Sequence, residues 1–105
     1  MKPRIQLTPQ ALEDLDAIWQ TIAEDNRDAA DRVETEILAT CHRLAKRPRI
    51  GTKREDITPL PVRFWSVTKF PNYVIVYRPD TVPLQVVAVL HGRRELKEVL
   101  EGRSS

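Results

Sequence analysis

The chain has 105 residues and one cysteine, and this length leaves room for a single domain with one modest core. Hydrophobic residues make up 41% and charged residues 30%, a globular composition that excludes a disordered chain. The lone Cys41 excludes an internal disulfide and a cysteine-rich metal site, and we expect it to pack in the core rather than serve as a reactive thiol. The sequence contains neither a bilayer-spanning run nor the apolar segment of a signal peptide, so we expect no membrane association and a cytoplasmic location.

The net charge of +2 is unevenly distributed. Residues 1–47 carry seven Lys or Arg against nine Asp or Glu, a net −2, whereas residues 48–105 carry ten against six, a net +4. The basic second part favours a nucleic acid or an acidic protein segment as a partner. Charge alone does not decide between these two partners.

The chain opens with a short strand over residues 4–7, followed by a helix that begins at Pro9. Thr8 is placed as the N-cap, and Leu7 and Leu12 have the spacing of a hydrophobic staple. Apolar residues at spacings of three and four then form one stripe, for which we predict core packing: Leu12, Leu15, Ile18, Trp19 and Ile22. The polar residues between them face solvent in this prediction: Glu13, Asp14, Asp16 and Gln20.

Asn26 caps a second predicted helix. Its apolar positions are Ala30, Val33, Ile37, Cys41 and Leu44. Because two amphipathic helices joined by a short connection pack against each other, this stretch predicts an antiparallel helical hairpin. His42 has no histidine or carboxylate at metal-ligand spacing, so we expect a surface histidine and no metal site.

Residues 48–61 form the least regular segment and read as a basic linker. Two interpretations remain open for the cations in and before it, among them Lys46, Lys53 and Arg54. They form either a patch that contacts phosphate groups or a solvated helix end and loop.

Three antiparallel strands are predicted between residues 62 and 91. The first, Val62 to Phe70, places Phe64 on one face and both Arg63 and Trp65 on the other, and a turn is expected at residues 70–72.

The next two strands form a β-hairpin, with apolar runs at residues 73–77 and 84–90. The second run is apolar at nearly every position, so both of its faces should be covered. A short amphipathic helix follows.

Together these elements predict one α+β domain. A small antiparallel sheet, made of the N-terminal strand and a three-stranded C-terminal meander, packs against the helical hairpin. Because the last helix is short, we predict an open apolar groove on the sheet that suits a partner's helix or strand. The predicted groove residues are Trp65, Tyr73, Leu96, Val99 and Leu100. The domain covers residues 1–105, with the strand and hairpin in 1–47, the linker in 48–61, the antiparallel strands in 62–91 and the short helix in 93–101.

Three stretches of the sequence resemble the RelE/ParE toxins of bacterial type II toxin–antitoxin systems. They are Ala11–Leu15, Tyr73–Arg78 and Val89–Leu96, and the last, with the sequence VLHGRREL, is similar to the ParE branch. The resemblance covers nearly the whole chain and implies a toxin that inhibits DNA gyrase by binding it, which stalls replication and arrests growth, as in plasmid stabilisation. It also implies a cognate antitoxin whose C-terminal segment lies in the predicted groove, hence a hetero-oligomer, and no cofactor.

For a ParE-like toxin we expect a cationic target-binding surface. Arg93 and Arg94 stand at the predicted start of the last helix, where the helix dipole disfavours cations, so helix stability does not explain them. The alternative is that both pair with Glu95, Glu98 or acidic residues of the antitoxin. The expected surface consists of Arg93, Arg94, His91, Arg63 and Arg78.

One position departs from the family pattern. Many relatives carry arginine after the first tyrosine of the penultimate strand, whereas this chain has Val74. Any role of that arginine is therefore absent here or met by Arg63 or Arg78.

The alternative resemblance is to the RelE branch, whose members cut messenger RNA on the ribosome. Such cleavage needs a proton acceptor for the 2′-hydroxyl, cations for the phosphate and a proton donor for the leaving oxygen. The RelE pattern adds a tyrosine in the C-terminal segment, and no tyrosine follows Tyr77 here. We therefore favour binding over catalysis, and a non-toxic protein-binding module is a further alternative. If the chain is a nuclease, the catalytic candidates are His91, Arg63, Arg78 and Lys53, with Lys46 and Arg54 as further phosphate ligands.

Overall fold

The computed structural model describes residues 4–92 and Leu100. Its elements in chain order are β1 (Ile5–Leu7), α1 (Pro9–Ala23), α2 (Arg27–Lys46), β2 (Arg63–Val67), β3 (Phe70–Arg78) and β4 (Leu84–His91). The strands form one sheet in the order β1-β4-β3-β2.

The α+β fold class is confirmed, and the sheet is mixed rather than antiparallel throughout. β4 pairs with β3 and β3 with β2 in antiparallel fashion, whereas β1 runs parallel to β4. The reason lies in the connection, because the chain leaves β1 through the helical hairpin and β1 is not joined to β4 by a tight turn.

The predicted start of α1 is confirmed. The Thr8 hydroxyl accepts a hydrogen bond from the Ala11 N–H at 3.1 Å, and Pro9 occupies the first turn. The predicted burial of Leu12 is wrong, because its side chain is 55% exposed. Neighbouring helical positions differ by about 100°, and the stripe that faces the sheet is centred on Ala11 and Leu15 instead.

Trp19 also lies outside the core, contrary to the prediction. Its indole N–H donates to a carboxylate oxygen of Asp31 at 2.8 Å, and the Arg27 guanidinium lies 5.9 Å from its ring centroid. Trp19 therefore links α1 to α2 at their solvent-facing side.

The second helix follows its sequence pattern. The Asn26 side chain accepts from the Ala29 N–H at 3.0 Å, and His42 is exposed as expected. The apolar positions are buried as predicted, namely Ala30, Val33, Ile37, Cys41 and Leu44.

Both faces of the sheet are packed. The helices cover one face, which we call the helix face, with a core that includes Leu15, Ile37, Ile75 and Val86. The opposite face, called here the linker face, carries a second cluster made of Val62, Phe64, Val74, Val76, Val87, Ala88 and Leu100. Ile57 and Leu60 pack against this second cluster, so the segment predicted as a solvated linker also covers part of the sheet.

A β-bulge in β4 places two consecutive apolar residues on the same face of the sheet. Val76 pairs with Ala88, whereas Tyr77 pairs with Val86, so Val87 is an extra residue in β4. Val87 and Ala88 both belong to the linker-face cluster, while Val86 belongs to the helix-face core. The prediction that β4 is covered on both faces is confirmed.

The turn between β2 and β3 comes earlier than predicted. Val67 pairs with Phe70, so the turn is at residues 68–69 rather than 70–72. The register then shifts, and Ser66 pairs with Val74. Pro71 falls in this irregular stretch, where its missing N–H breaks no regular ladder.

The predicted C-terminal helix lies outside the described residues apart from Leu100, which is 1% exposed. Within the described part of the chain, no helix combines the length and hydropathy needed to cross a membrane.

Candidate functional site

His91 ends β4 and is exposed. It lies directly opposite Tyr73 in the register, and the two rings stack with centroids 4.7 Å apart and planes inclined by 30°. Gly92 follows with a φ of 81° and donates from its N–H to the Asn72 carbonyl at 2.7 Å. The left-handed conformation of Gly92 interrupts the extended backbone, so His91 is the last residue of the strand.

Arg63, at the start of β2, forms hydrogen bonds with the linker. Its Nη1 donates to the Gly51 carbonyl at 2.7 Å and more weakly to the Arg49 carbonyl at 3.4 Å. Its Nε is buried and has no hydrogen-bond partner among the described residues. The Arg63 charge therefore holds the linker against the sheet rather than extending freely from the surface.

Tyr77 fixes the same part of the linker. Its hydroxyl donates to the Pro48 carbonyl at 2.7 Å and accepts from the Gly51 N–H at 2.9 Å. Burial raises the pKa of Tyr77, and the hydrogen bond from Gly51 and the charge of Arg63 oppose this rise. Gly51 has no room for a side chain, because an added Cβ would lie 2.9 Å from Cε1 of Tyr77.

A cavity of about 440 Å³ lies beside the outer edge of β2. The linker forms one side of it by returning to the strand, where Thr52 and Phe64 exchange two backbone hydrogen bonds of 2.9 Å. The remaining lining consists of three apolar residues, Ile57, Trp65 and Val74, and two polar ones, Arg54 and Ser66.

Sequence reasoning missed this cavity because it depends on the linker pairing with a strand that comes later in the chain. One signal was available in the sequence. Ile57 and Leu60 are apolar residues in a segment that is otherwise polar or rich in proline, and a purely solvated linker does not need them.

A family model described as "ParE toxin of type II toxin-antitoxin system, parDE" matches residues 5–96. The chain belongs to the ParE toxin family. A solved structure titled "Chromosomal ParDE TA system from P. aeruginosa" is similar to this ParE-family chain with a TM-score of 0.70 and 19% identity, over 85% of this chain and 95% of that chain. At this identity the likeness shows a shared fold. No curated protein matches the chain.

Family membership confirms the resemblance to ParE toxins that the sequence motifs indicated. A ParE toxin is one component of a toxin–antitoxin pair, so an antitoxin is the partner that the family implies. Among the described residues of this ParE-family chain, no group of three or more His, Cys, Asp or Glu side chains could hold a metal ion.

The three predicted cationic residues that the structure describes in this ParE-family chain, His91, Arg63 and Arg78, do not lie together. His91 is opposite Tyr73, whereas Arg63 is opposite Tyr77 and Arg78 ends the same strand. At about 3.3 Å per residue, Arg63 and Arg78 lie roughly 13 and 17 Å along the sheet from His91. Arg93 and Arg94 lie outside the described residues.

The same separation applies to the residues named for a nuclease. Lys53 is exposed and directly follows Thr52, which places it near Arg63 at the linker and away from His91. The four candidates His91, Arg63, Arg78 and Lys53 therefore do not form one described catalytic centre.

The predicted groove is also divided. Trp65 and Tyr73 pack against the helix-face core, whereas Leu100 belongs to the linker-face cluster. Tyr73 and Leu100 therefore lie on opposite faces of the sheet, whereas Trp65, at the edge, also lines the cavity beside β2. Leu96 and Val99 lie outside the described residues. The contact of each of these residues with an antitoxin stays a prediction.

Proposed function

We propose that this ParE-family chain is a toxin that inhibits DNA gyrase by binding it, and that a cognate antitoxin cancels the inhibition. The observation that carries the proposal is the family match over residues 5–96. Together with the closing motif of the sequence, VLHGRREL, this match favours the ParE branch and the gyrase target that the branch implies.

The positions of the polar side chains support binding rather than catalysis. Ribonucleolytic cleavage without a metal needs a proton acceptor, a proton donor and phosphate ligands within hydrogen-bond reach of one reacting phosphate. His91 and Arg63 lie roughly 13 Å apart along the sheet, which is too far for that task. A binding surface has no such requirement, since its contacts are distributed over many residues.

The target contact is proposed at the end of β4. His91 is exposed there, and Arg93 and Arg94 follow within three residues, so a chain with about 3.8 Å between Cα atoms keeps all three within roughly 11 Å. Arg63 contributes mainly by holding the linker, and Arg78 lies at the far end of β3.

The first test replaces both arginines, Arg93→Ala with Arg94→Ala, in the full chain. The matched control replaces two exposed arginines, one just before β1 and one on α2, as Arg4→Ala with Arg32→Ala. Supercoiling by purified gyrase is then measured against toxin concentration. We expect the wild type and the control to inhibit supercoiling, and the Arg93/Arg94 variant to need at least about tenfold more protein, as for a loss of roughly 1.4 kcal/mol.

Three outcomes contradict parts of this proposal. Full inhibition by the Arg93/Arg94 variant removes these arginines from the contact. Normal supercoiling together with messenger RNA cut on ribosomes assigns the chain to the RelE activity. Normal growth on induction without the antitoxin, with gyrase and messenger RNA both intact, leaves a non-toxic binding module.

A further inference from the structure

We propose that a basic surface at the C-terminal end of α2 binds the phosphate backbone of duplex DNA. The surface lies on the last turn of α2 and the first part of the linker, and we call it the basic corner. Its members are all exposed, namely Arg43, Lys46, Arg47, Arg49 and Lys53. The proposal concerns DNA binding by this chain itself and does not depend on gyrase inhibition.

Charge is strongly separated along α2. Residues 42–54, around its C-terminal end, contain six Lys or Arg and no Asp or Glu, a net +6. A segment of equal length around its other end, residues 24–36, contains two Arg and six Asp or Glu, a net −4. Ala30 and Lys46, near the middle of the two segments, lie about 24 Å apart along the helix, which is roughly three Debye lengths at physiological salt. The acidic end therefore does not neutralise the basic corner.

Helix stability explains only part of this positive charge. A cation in the last turn of a helix interacts favourably with the helix dipole, and Arg43 and Lys46 occupy that turn of α2. The effect falls off within the last turn, so it does not account for Arg49 or Lys53. These two residues continue the positive surface onto the linker.

Hydrogen bonds to the sheet hold the backbone of the basic corner in place. The Tyr77 hydroxyl donates to the Pro48 carbonyl at 2.7 Å and accepts from the Gly51 N–H at 2.9 Å. Arg63 donates to the Gly51 carbonyl at 2.7 Å. Because this backbone is already fixed, the cationic side chains that it carries lose less conformational freedom on binding.

The carboxylates near the basic corner leave most of its charge available. Three of its five cations form no ion pair with a described residue, namely Lys46, Arg47 and Lys53. Arg43 pairs with Glu36 at 3.0 Å, and Arg49 pairs with Asp80 at 2.7 Å. The side chains of Arg49 and Asp80 are 67% and 66% exposed. Exposed ion pairs contribute little to stability, so a phosphate group replaces Asp80 at small cost.

The chemistry of the basic corner favours duplex DNA. Duplex DNA carries one negative charge per about 1.7 Å of its axis, whereas an extended acidic peptide carries at most one per residue, or about 3.3 Å. Residues 43–54 contain no Phe, Tyr or Trp on which the bases of a single strand could stack. Contacts to phosphate carry no sequence information, so we expect binding without sequence preference.

The basic corner is separate from the proposed gyrase contact. Arg49 pairs with Asp80, which lies just beyond the end of β3 at Arg78, whereas His91 is opposite Tyr73. Tyr73 and Arg78 are roughly 17 Å apart along the strand at about 3.3 Å per residue. Substitutions in one surface therefore leave the other intact.

The binding experiment uses the full chain and a fluorescein-labelled DNA duplex of arbitrary sequence. A labelled single-stranded RNA of the same length and a labelled decaglutamate peptide are the comparison probes. By fluorescence anisotropy at low salt, we expect the duplex to bind at least about tenfold more tightly than either comparison probe. The logarithm of the association constant should fall with the logarithm of the salt concentration with a slope of about −3 to −4, as for about four phosphate contacts.

Three results of this experiment would overturn the proposal. Tighter binding of decaglutamate than of the duplex assigns the basic corner to an acidic protein, and tighter binding of the RNA rejects duplex DNA as the ligand. A duplex that does not bind even at low salt rejects the surface altogether.

The decisive variant removes two cations that have no described ion pair, Lys46→Gln with Arg47→Gln. Its matched control, Arg4→Gln with Arg32→Gln, makes the same change of charge at exposed positions outside the basic corner. We expect the Lys46/Arg47 variant to bind the duplex at least about tenfold more weakly, with a salt slope smaller in magnitude by about 2, and the control to change binding by less than about threefold. Equal effects of the two double variants, with unchanged circular dichroism, would overturn a local binding surface.

A gain of binding tests the same surface without removing any of its cations. Asp80→Asn removes the carboxylate that pairs with Arg49, and Asp25→Asn makes the same change of charge between the two helices. Because Asp80 then no longer competes with phosphate, we expect at least about twofold tighter binding of the duplex by the Asp80 variant and a smaller change for the Asp25 variant. Equal changes in the two variants would contradict a DNA contact at Arg49.

Gyrase assays separate this proposal from the proposed function. If the wild type leaves gyrase active while the duplex still binds, the gyrase proposal fails and the DNA-binding surface stands. If gyrase is inhibited but the duplex does not bind, the DNA-binding surface fails alone.

Discussion

Burial determines the chemistry of Cys41. The side chain has no exposed surface, and this burial raises the pKa of its thiol to about 12, with a backbone hydrogen bond opposing the shift. Because the pKa in the folded chain exceeds the unfolded value, the folded state holds the proton more tightly. This contribution to stability is complete below about pH 9 and is lost as the pH rises toward 12.

We therefore predict that the free energy of unfolding falls between about pH 9 and pH 12, by at most about 4 kcal/mol from Cys41. Urea unfolding at several pH values measures this fall in the free energy of unfolding. The variant Cys41→Ala should be less stable at every pH because it loses packing in the core. Its free energy of unfolding should, however, fall less steeply with pH than that of the wild type. Since the pKa of Tyr77 is also raised, part of the slope should remain in this variant, and an identical slope in both proteins would contradict the assignment to Cys41.

Individual residues show what helical spacing predicts and what it does not. The spacing places Cys41 in the core and His42 at the surface, because their helix packs along one stripe. It fails for Leu12 and Trp19, at the margin of their stripe, where the exact rotation of α1 on the sheet decides burial. Sequence patterns define a stripe to within about one residue, or roughly 100°.

At the scale of elements, α1 protects an edge of the sheet through Asp14. β1 pairs with residues 84–86, and no strand among the described residues pairs with the rest of β4 on that side. There the Asp14 carboxylate, which was predicted to face solvent, accepts from the Val89 N–H at 3.0 Å, and Thr8 Oγ1 donates to the Val87 carbonyl at 3.4 Å. The helix thus takes over the hydrogen bonding that a longer β1 would provide.

We predict that Asp14→Ala lowers the free energy of unfolding by about 1–3 kcal/mol, because the Val89 N–H loses an acceptor in a part-buried position. Asp14→Asn keeps a carbonyl acceptor and should recover most of this loss. Asp16→Ala, two residues along the same helix and exposed, is the control and should change stability by less than about 0.5 kcal/mol. Equal effects at both positions would contradict the proposed role of Asp14.

Element order and type were largely predictable from the sequence, whereas register was not. Hydrophobic periodicity, N-caps and the hairpin pattern gave both helices and the order of the strands. The early turn before Phe70 and the bulge at Val87 depend on contacts between distant residues, which no local pattern encodes. Because a shift of register by one residue moves a side chain to the other face, local patterns also could not predict that Tyr73 and Leu100 lie on different faces of the sheet.

At the scale of the whole molecule, Tyr77 connects the two packed faces of the sheet. Its ring belongs to the helix-face core, and its hydroxyl holds the linker, whose later residues Ile57 and Leu60 cover the other face. The Tyr77 hydroxyl thus helps to join the helix-face core to the segment that covers the linker face. The sequence indicated an open second face, because the apolar residues of the linker were too few to predict a layer.

We predict that Tyr77→Phe lowers the free energy of unfolding by about 1–3 kcal/mol, because the Gly51 N–H and Pro48 carbonyl lose their shared partner. Amide hydrogen exchange at Gly51 should accelerate, since the linker can then open without the rest of the fold. Tyr73→Phe removes the hydroxyl of a half-buried tyrosine and is the control. Unchanged exchange at Gly51 would contradict this role of the Tyr77 hydroxyl.

Val87 is the extra residue of the bulge in β4. It shifts the alternation of side chains between the two faces by one position for all later residues of the strand. Because Val86 and Ala88 already pair with the neighbouring residues Tyr77 and Val76, removing Val87 alone would restore strict alternation and leave His91 opposite Tyr73. A relative that lacks this one codon would therefore keep the same side chains on the same faces at the end of β4, although its sequence would be one residue out of step with this chain. Sequence alignments of ParE toxins over this strand therefore need to allow for a bulge of one residue.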